Sequence, residues 1–358
     1  MLQRITPILL LLAVPVFVVL PVCRYTVRDV GFVVLDEQPY VLRIGRSGAR
    51  NKERLANYCR AFFLDADVTV EWAEESSVTL LDSAGRSLLL PAWPQGAVAL
   101  SKMQDHLDAV INSSARDQVI AEIIENHGVI VFVEGESVSG NKRVVSLCQE
   151  AIEGTQMALA ELPKKAKRAP SVVRIPKSDR KAERVFLFSI GFDSDEIDSS
   201  DPLVAVLYGR GTLMGEPLFG PLITRTQIEE NLVLIGQDCE CDLERSVMRG
   251  RRALLNWGDE QRQSAQKALD FDPESPLVRA EVSRILTRGR YAEDSNELDS
   301  DNSEVEPSSL PKVDSTASDG PSEIEARDFS IVYYLLGAFA GILALGAGWL
   351  LLRRGSAV

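Results

Sequence analysis

The pair of thiols in Cys239-Glu240-Cys241 is the pattern in this chain with the widest choice of chemistry. Two cysteines one residue apart can close a strained disulfide that is easily reduced, or offer two thiolate ligands to a soft metal ion. The neighbouring residues include Asp238, Glu240, Asp242 and Glu244. These carboxylates disfavour the thiolate that catalysis needs. The pattern therefore favours structural or disulfide-bonded cysteines, and it keeps Cys239 and Cys241 as candidates for a metal or redox site.

Histidine chemistry is limited by number, because the chain has only His106 and His127. That number excludes a three-histidine zinc site. The sequence also has no GxxxxGK[ST], HExxH or GxSxG motif, and no GxGxxG that opens a helix. His127 stands beside Gly128 at a predicted helix end, where carbonyl groups and the helix dipole account for it without catalysis. We therefore predict no catalytic residue and no cofactor, and the sequence points away from an enzyme.

Other ligand-type side chains are predicted to be structural. Cys59 and Cys148 lie on apolar helix faces, where a cysteine behaves as a small hydrophobic residue. The acidic residues of 193–201 alternate as in a calcium loop, but Ile197 stands where an oxygen ligand is needed and Asp198 where glycine is needed. We expect a solvated loop there.

Residues 1–23 predict either a secretion signal or an amino-terminal anchor. Arg4 precedes an apolar run from Ile5 to Val22, the pattern of a signal segment. Three prolines in the run favour a cleaved signal over a straight spanning helix. Val22 stands where a lipoprotein signal has a small residue before its cysteine. Cleavage, an uncleaved anchor and lipidation of Cys23 remain alternatives, in that order.

Residues 329–352 predict a single transmembrane helix near the carboxyl end. The 24 residues carry no charge, and at about 1.5 Å per residue they can cross a hydrocarbon core of about 30 Å. Arg353 and Arg354 follow, so the positive-inside rule places the tail of residues 353–358 in the cytoplasm and the remainder outside it. Gly337 and Gly341 form a GxxxG spacing that can pair helices, although small residues are common in membrane helices.

Two blocks of charge divide the region between these ends, in a chain of 358 residues with a net charge of −13. Residues 293–328 carry twelve acidic residues and predict a disordered tether that holds the folded part away from an anionic membrane. Residues 163–184 carry nine basic residues and three prolines. They predict an inter-domain linker, with a patch for anionic lipid or an acidic partner as the alternative. A nucleic-acid partner is not expected, because no aromatic side chain on which a nucleobase could stack lies among these basic residues.

The remaining pattern predicts an α/β fold of two mixed-sheet subdomains, residues 24–162 and 185–292. Period-two and fully apolar runs predict strands, and apolar residues at helical spacing predict the helices between them. The predicted strands are residues 31–35, 40–44, 68–72, 78–81, 87–90, 129–133, 185–190, 203–208 and 212–214. Thr224 and Gln227 predict a capping box that opens a further helix, which Gly236 ends.

Element order over residues 125–237 resembles the thioredoxin-like fold. The strand VIVFV leads through a loop into a helix, and RVFLFSIG, PLVAVLYGRGTLMG and ITRTQIEENLVLIG follow as later elements. Redox-active members of that family carry CxxC where this strand meets its helix. The corresponding residues here are 134–141, EGESVSGN, and they contain no cysteine. The resemblance implies the fold without the disulfide exchange.

These features predict a membrane-anchored extracytoplasmic interaction or accessory protein. Its expected partner is another membrane or extracytoplasmic protein. The alternative is a thiol-redox or metal-handling protein that uses Cys239 and Cys241.

Overall fold

The computed structural model describes residues 24–35, 40–45, 52–74, 77–92, 100–162, 164–239 and 248–298. Over these ranges the chain forms ten α-helices and two four-stranded mixed sheets, which confirms the predicted α/β class. No helix in these ranges has the length and apolarity needed to cross a bilayer. The predicted signal or anchor, the transmembrane helix and the tail lie outside the described residues, as does the tether beyond residue 298.

The first sheet has the strand order β2-β1-β3-β4. Strands β1 and β2 are parallel, whereas β3 is antiparallel to both β1 and β4. A one-turn helix precedes the sheet, and two more helices follow it before the second sheet begins. The elements in chain order are α1 (Val27–Val30), β1 (Tyr40–Gly45), α2 (Lys52–Phe62), β2 (Val68–Ala73), β3 (Val78–Leu81), β4 (Ser87–Leu90), α3 (Leu100–Ile111) and α4 (Ser114–Ile123).

The second sheet repeats this topology with the order β6-β5-β7-β8. Its first two strands are again parallel and its other pairs antiparallel. Helices α5 and α8 pack together. The elements are β5 (Val129–Val133), α5 (Val138–Glu161), β6 (Ser171–Ile175), α6 (Arg184–Ser189), α7 (Ser194–Asp198), β7 (Leu203–Tyr208), β8 (Thr212–Phe219), α8 (Arg225–Ile235), α9 (Asp259–Leu269) and α10 (Pro276–Leu298).

The two sheets share one hydrophobic cluster. Leu42 and Leu80 of the first sheet belong to the same buried group as Val131 and Val133 of β5. A second cluster covers the other face of β5 and includes Phe132. Since β5 is apolar at every position, both of its faces can be covered in this way.

Residues 24–33 pack on the second sheet, although they precede the first. The Val27 N–H donates to the Gln237 carbonyl at 2.9 Å, and the Arg210 N–H donates to the Gly31 carbonyl at 2.9 Å. The predicted strand at 31–35 is therefore wrong. Its apolar residues fill the space beside β7 and β8 and pair with no strand. Gly209, with φ +57°, lies so close that a Cβ there would approach the Gly31 backbone to 2.3 Å.

Two further predictions are corrected by the second sheet. Residues 185–190 were predicted as a strand, but Arg184–Ser189 form α6, because a short apolar run suits a buried helix as well as a buried strand. The predicted linker 163–184 contains strand β6, which pairs in parallel with β5. Val173 and Ile175 of β6, two residues apart, are both buried. The basic residues around them made this strand difficult to recognise in the sequence. The second sheet thus takes strands from both sides of the predicted linker.

Candidate binding groove

A groove lies where β5 ends and α5 begins. It holds a solvent-open space of about 410 Å³ between three segments of the second sheet region: the β5–α5 turn, the loop before β7 and the 3₁₀ turn after β8. We call this site the α5 groove. Its lining residues are Glu136, Ser137, Gly140, Arg143, Ser200, Asp201, Pro202, Gly220 and Pro221.

Side-chain hydrogen bonds fix the turn into α5. Ser137 is the N-cap, and its Oγ accepts the Gly140 N–H at 3.1 Å. Asn141 clamps the turn from both sides, because its Oδ1 accepts the Gly135 N–H at 2.8 Å and its Nδ2 donates to the Gly135 carbonyl at 3.0 Å. The first turn of the helix is therefore held in place before any ligand binds.

Gly135 allows the turn to approach the loop before β7. The Glu136 N–H donates to the Ser200 carbonyl at 2.8 Å. A Cβ at position 135 would lie 2.5 Å from the Ser200 oxygen and 2.6 Å from the Pro202 nitrogen. Only glycine permits this approach, which forms one wall of the groove.

Arg180 also holds this wall of the groove in place, through hydrogen bonds. Its guanidinium donates to the main-chain carbonyls of Glu196 at 2.7 Å and Asp201 at 2.9 Å. The side chain is buried. Burial lowers the pKa of the Arg180 guanidinium, and the carboxylates of Asp198 and Asp201 act in the opposite direction. These two hydrogen bonds therefore hold the chain before β7 in one position.

The third side of the groove is tied to the other two. The Gly220 N–H donates to the Pro202 carbonyl at 3.0 Å, and Arg143 Nη2 donates to the Gly220 carbonyl at 3.3 Å. All three segments are therefore linked through their main chains.

Large apolar side chains are exposed next to this lining. Val138 follows Ser137 and is 69% exposed, and Leu222 follows Pro221 and is 53% exposed. Phe219 precedes Gly220 and is 37% exposed. Exposed apolar residues thus stand next in sequence to lining residues on two sides of the groove, and a contiguous exposed apolar patch often marks a binding site.

The groove is suited to noncovalent binding. Ser137 Oγ and Ser139 Oγ are 3.0 Å apart, and Ser137 Oγ is already used as the cap of α5. Among the described contacts of these hydroxyls, no imidazole or carboxylate is placed to remove a proton. Glu136 pairs with Lys177 at 2.8 Å, and this hydrogen bond lowers the pKa of the Glu136 carboxyl.

Cys239 lies elsewhere, in the second hydrophobic cluster. Its N–H donates to the Tyr25 carbonyl at 3.2 Å, and its side chain is fully buried. Cys241, its predicted partner in a metal or redox site, lies outside the described residues. Within the described ranges, no three histidine, cysteine or acidic residues gather as metal ligands would.

Cys59 and Cys148 are core residues, as predicted. Both are fully buried, and burial raises the pKa of the Cys59 thiol to about 11 and that of Cys148 to about 12.

His127 follows the end of α4, as predicted, but its contact is with another helix. Its Nε2 lies 2.7 Å from the Leu232 carbonyl of α8. Burial lowers the pKa of His127, and the nearby Arg28 cation lowers it further.

Most of the basic segment 163–184 is balanced by carboxylates of the same chain. Lys165 and Lys181 are exposed, and Arg180 donates to carbonyl groups. The ion pairs of this segment are Lys164–Asp29, Lys167–Glu125, Arg168–Glu125, Arg174–Glu134, Lys177–Glu136 and Arg184–Asp198.

A larger cavity of about 630 Å³ lies between α4 and α9. Its lining mixes carboxylates, carboxamides and lysines, and two of its charged groups, Glu125 and Lys167, already pair with each other at 3.2 Å. Only one large exposed apolar residue among the described residues stands next in sequence to this lining, namely Leu64 beside Asp65, which is 80% exposed.

Comparison with known proteins gives no relative for this chain: no family model matches it, and no curated protein is significantly similar. The sequence singled out the EGESVSGN segment only as a loop without CxxC and predicted no binding site there. It missed Phe219, Leu222 and Pro202, whose only signal was an apolar residue next to a turn.

Proposed function

We propose that this chain is a membrane-anchored extracytoplasmic interaction protein, and that the α5 groove binds its partner. The observation that carries the proposal is the exposure of Val138 and Leu222, each next to a lining residue of a cavity whose walls are joined by main-chain hydrogen bonds. Preformed grooves with apolar rims bind without a large ordering cost.

We also propose that residues 125–237 form a thioredoxin-like unit. The support is the sheet order β6-β5-β7-β8, with β5 and β6 parallel and a terminal hairpin, together with the packing of α5 on α8. The first sheet has the same order and directions, which favours two such units in tandem. On this proposal, Ser137 and Ser139 occupy the loop in which redox-active relatives carry cysteines.

Membrane attachment is supported by the uncharged run of residues 329–352 and the arginines after it. The partner is then another membrane or extracytoplasmic protein. Thiol or metal chemistry at Cys239 and Cys241 is less favoured, because the Cys239 side chain is fully buried.

Site-specific photo-crosslinking of the full-length protein in its native membranes tests the groove. A photoreactive amino acid replaces Val138 or Leu222, and the same residue at Met157 is the control. Met157 is 81% exposed on the same helix, 19 residues from Val138, or about 28 Å along the helix axis.

We expect one discrete adduct from both groove positions and none from Met157. Adding Phe219→Glu to the Val138 probe should abolish that adduct without lowering the amount of protein. Equal labelling at all three positions, or an adduct that survives Phe219→Glu, would contradict a binding role for the groove.

A further inference from the structure

A small cavity between the two sheet regions has two arginines and one carboxylate in its lining. It lies where β1 and the residues before β2 meet the β7–β8 turn, and its volume of about 10 Å³ is room for one occupant of the size of a water molecule. The lining therefore carries one positive charge that is not compensated within it. The lining residues are Tyr40, Asp67, Arg210, Arg252, Ala253, Leu254 and Leu255.

Arg210 brings a guanidinium with few partners to this cavity. Its main-chain N–H donates to the Gly31 carbonyl at 2.9 Å, which fixes the turn, and its side chain is only 12% exposed. Within the described residues the guanidinium donates no hydrogen bond. Its ion pair with Glu274 Oε1 is long, at 3.7 Å, and that oxygen already accepts the Arg262 Nε–H at 3.2 Å. Its Cζ lies over the Trp257 ring, 5.5 Å from the centroid.

Arg252 is the second cation in the lining. Its Nη1 donates to Asp67 Oδ2 at 3.2 Å, but its Nε is buried and has no hydrogen-bond partner. A buried donor on a charged group is costly to leave unpaired. The two cations also act on each other. Burial lowers the pKa of the Arg210 guanidinium to about 10, Asp67 raises this pKa, and the Arg252 cation lowers it further.

We propose that this cavity binds a single chloride ion, with N–H groups of Arg210 and Arg252 as its ligands. The cavity is too small for phosphate, sulfate or an organic anion, and two guanidiniums repel a metal cation. A water molecule has the right size, but it leaves the positive charge of the lining uncompensated. Chloride has one negative charge and accepts several N–H donors at once.

The bound ion would connect the two sheet regions. Tyr40 begins β1 and Asp67 precedes β2, whereas Arg210 belongs to the β7–β8 turn of the second sheet. Binding to the folded chain alone raises its stability by mass action. This inference depends neither on the α5 groove nor on membrane attachment.

The chloride dependence of stability tests the site in the full-length protein in mild detergent. Urea midpoints are measured while sodium chloride replaces sodium gluconate at constant ionic strength, because gluconate is too large for the cavity. We expect a saturable rise of at least about 0.3 M in the midpoint of the wild-type protein. Arg210→Gln removes the charge and should abolish the rise. Arg279→Gln is the matched control, because Arg279 is an exposed arginine of α10, and it should leave the rise unchanged.

Chloride NMR gives a direct measure of binding. Exchange with a protein site broadens the chloride resonance, and bromide, an anion of the same charge and similar size, should reverse the broadening. Circular dichroism establishes which variants are folded, and a folded Arg210→Lys protein, which keeps the charge, should retain part of the broadening. A wild-type midpoint that does not rise with chloride would overturn the proposal. A rise or a broadening that is equal in wild type and Arg210→Gln would show that the cavity holds water only.

Discussion

The buried guanidinium of Arg180 donates a 2.9 Å hydrogen bond to the main-chain carbonyl of Asp201, 21 residues further along the chain. Asp201 immediately precedes Pro202, so this bond sets the position of a groove wall from a residue that does not line the groove. A second bond, to the Glu196 carbonyl at 2.7 Å, connects Arg180 to helix α7, which precedes this loop.

Arg180→Ala should therefore destabilise the fold. The part-buried carbonyl groups of Asp201 and Glu196 would lose this donor, and we expect the free energy of unfolding to fall by about 1–3 kcal/mol. Urea titration of the full-length protein in mild detergent measures this. Lys181→Ala is the matched control, because Lys181 is the exposed neighbour and its loss should change stability by less than about 0.5 kcal/mol. Similar effects from both variants would contradict the role given to Arg180.

Gly135→Ala should distort the groove directly. The new Cβ would lie 2.5 Å from the Ser200 oxygen, so the loop before β7 must move. We expect a loss of about 1–3 kcal/mol and loss of the Val138 crosslink. Gly140→Ala is the control, since its Cβ would meet only the Ser137 side chain, with Cβ at 3.3 Å and Oγ at 3.5 Å. A Gly135→Ala protein with normal stability and normal crosslinking would show that the close approach is not required.

The sequence alone correctly predicts the elements whose pattern of apolar and polar residues fits only one type of secondary structure. The fully apolar VIVFV run, the alternating VTVEW run and the hairpin around Asp82-Ser83-Ala84-Gly85 all form strands where predicted. Helix α8 also begins after its predicted cap Thr224 and ends at Gly236.

It was insufficient where tertiary contacts decide between local alternatives. The RVFLFS run is apolar throughout and carries no periodicity, so its helical state depends on packing. Strand β6 was not predicted, because a run of basic residues is typical of a solvated linker. In the structure these residues form ion pairs with carboxylates that are distant in sequence, such as Glu134 for Arg174. The groove could not be assembled from sequence, because Gly135, Pro202 and Gly220 meet only through the sheet.

His127 should make stability depend on pH. Burial lowers the pKa of His127 in the folded state, so the unfolded chain binds a proton more readily. The stabilising contribution is fully present above the unfolded pKa of about 6.5 and is lost as pH falls below it. The slope from this one group cannot exceed about 1.4 kcal/mol per pH unit.

Urea midpoints between pH 7.5 and 5.5 measure this dependence (about one unit on each side of the unfolded value). His127→Gln is the comparison, because its carboxamide can still donate to the Leu232 carbonyl but does not titrate in this range. We expect a shallower pH dependence in the variant. If the pH dependence of stability is the same in the variant, titratable groups other than His127 cause it.

Cys59 and Cys148 should resist alkylation in the folded protein. Burial raises the pKa of both thiols, to about 11 and about 12, so neither is ionised or accessible near neutral pH. Maleimide labelling followed by mass spectrometry should modify both only after urea is added. The same spectra show whether Cys239 and Cys241 are free thiols or form a disulfide. A disulfide between these two cysteines would support the thiol-redox alternative.

The shared hydrophobic cluster predicts that the two sheets unfold together. Leu42 of β1 and Val131 of β5 belong to the same cluster, and each is almost fully buried. Leu42→Ala should lower the free energy of unfolding by about 2–5 kcal/mol. Val131→Ala should shift the same transition by a smaller amount, because less apolar volume is removed.

Fluorescence and far-UV circular dichroism should report one coincident urea transition in both variants. Trp72 packs against the shared cluster and Trp257 is buried in it, so the fluorescence reports on that cluster. Two separated transitions, with Leu42→Ala moving only one of them, would show that each sheet folds independently. In that case the groove could be studied on the second sheet alone.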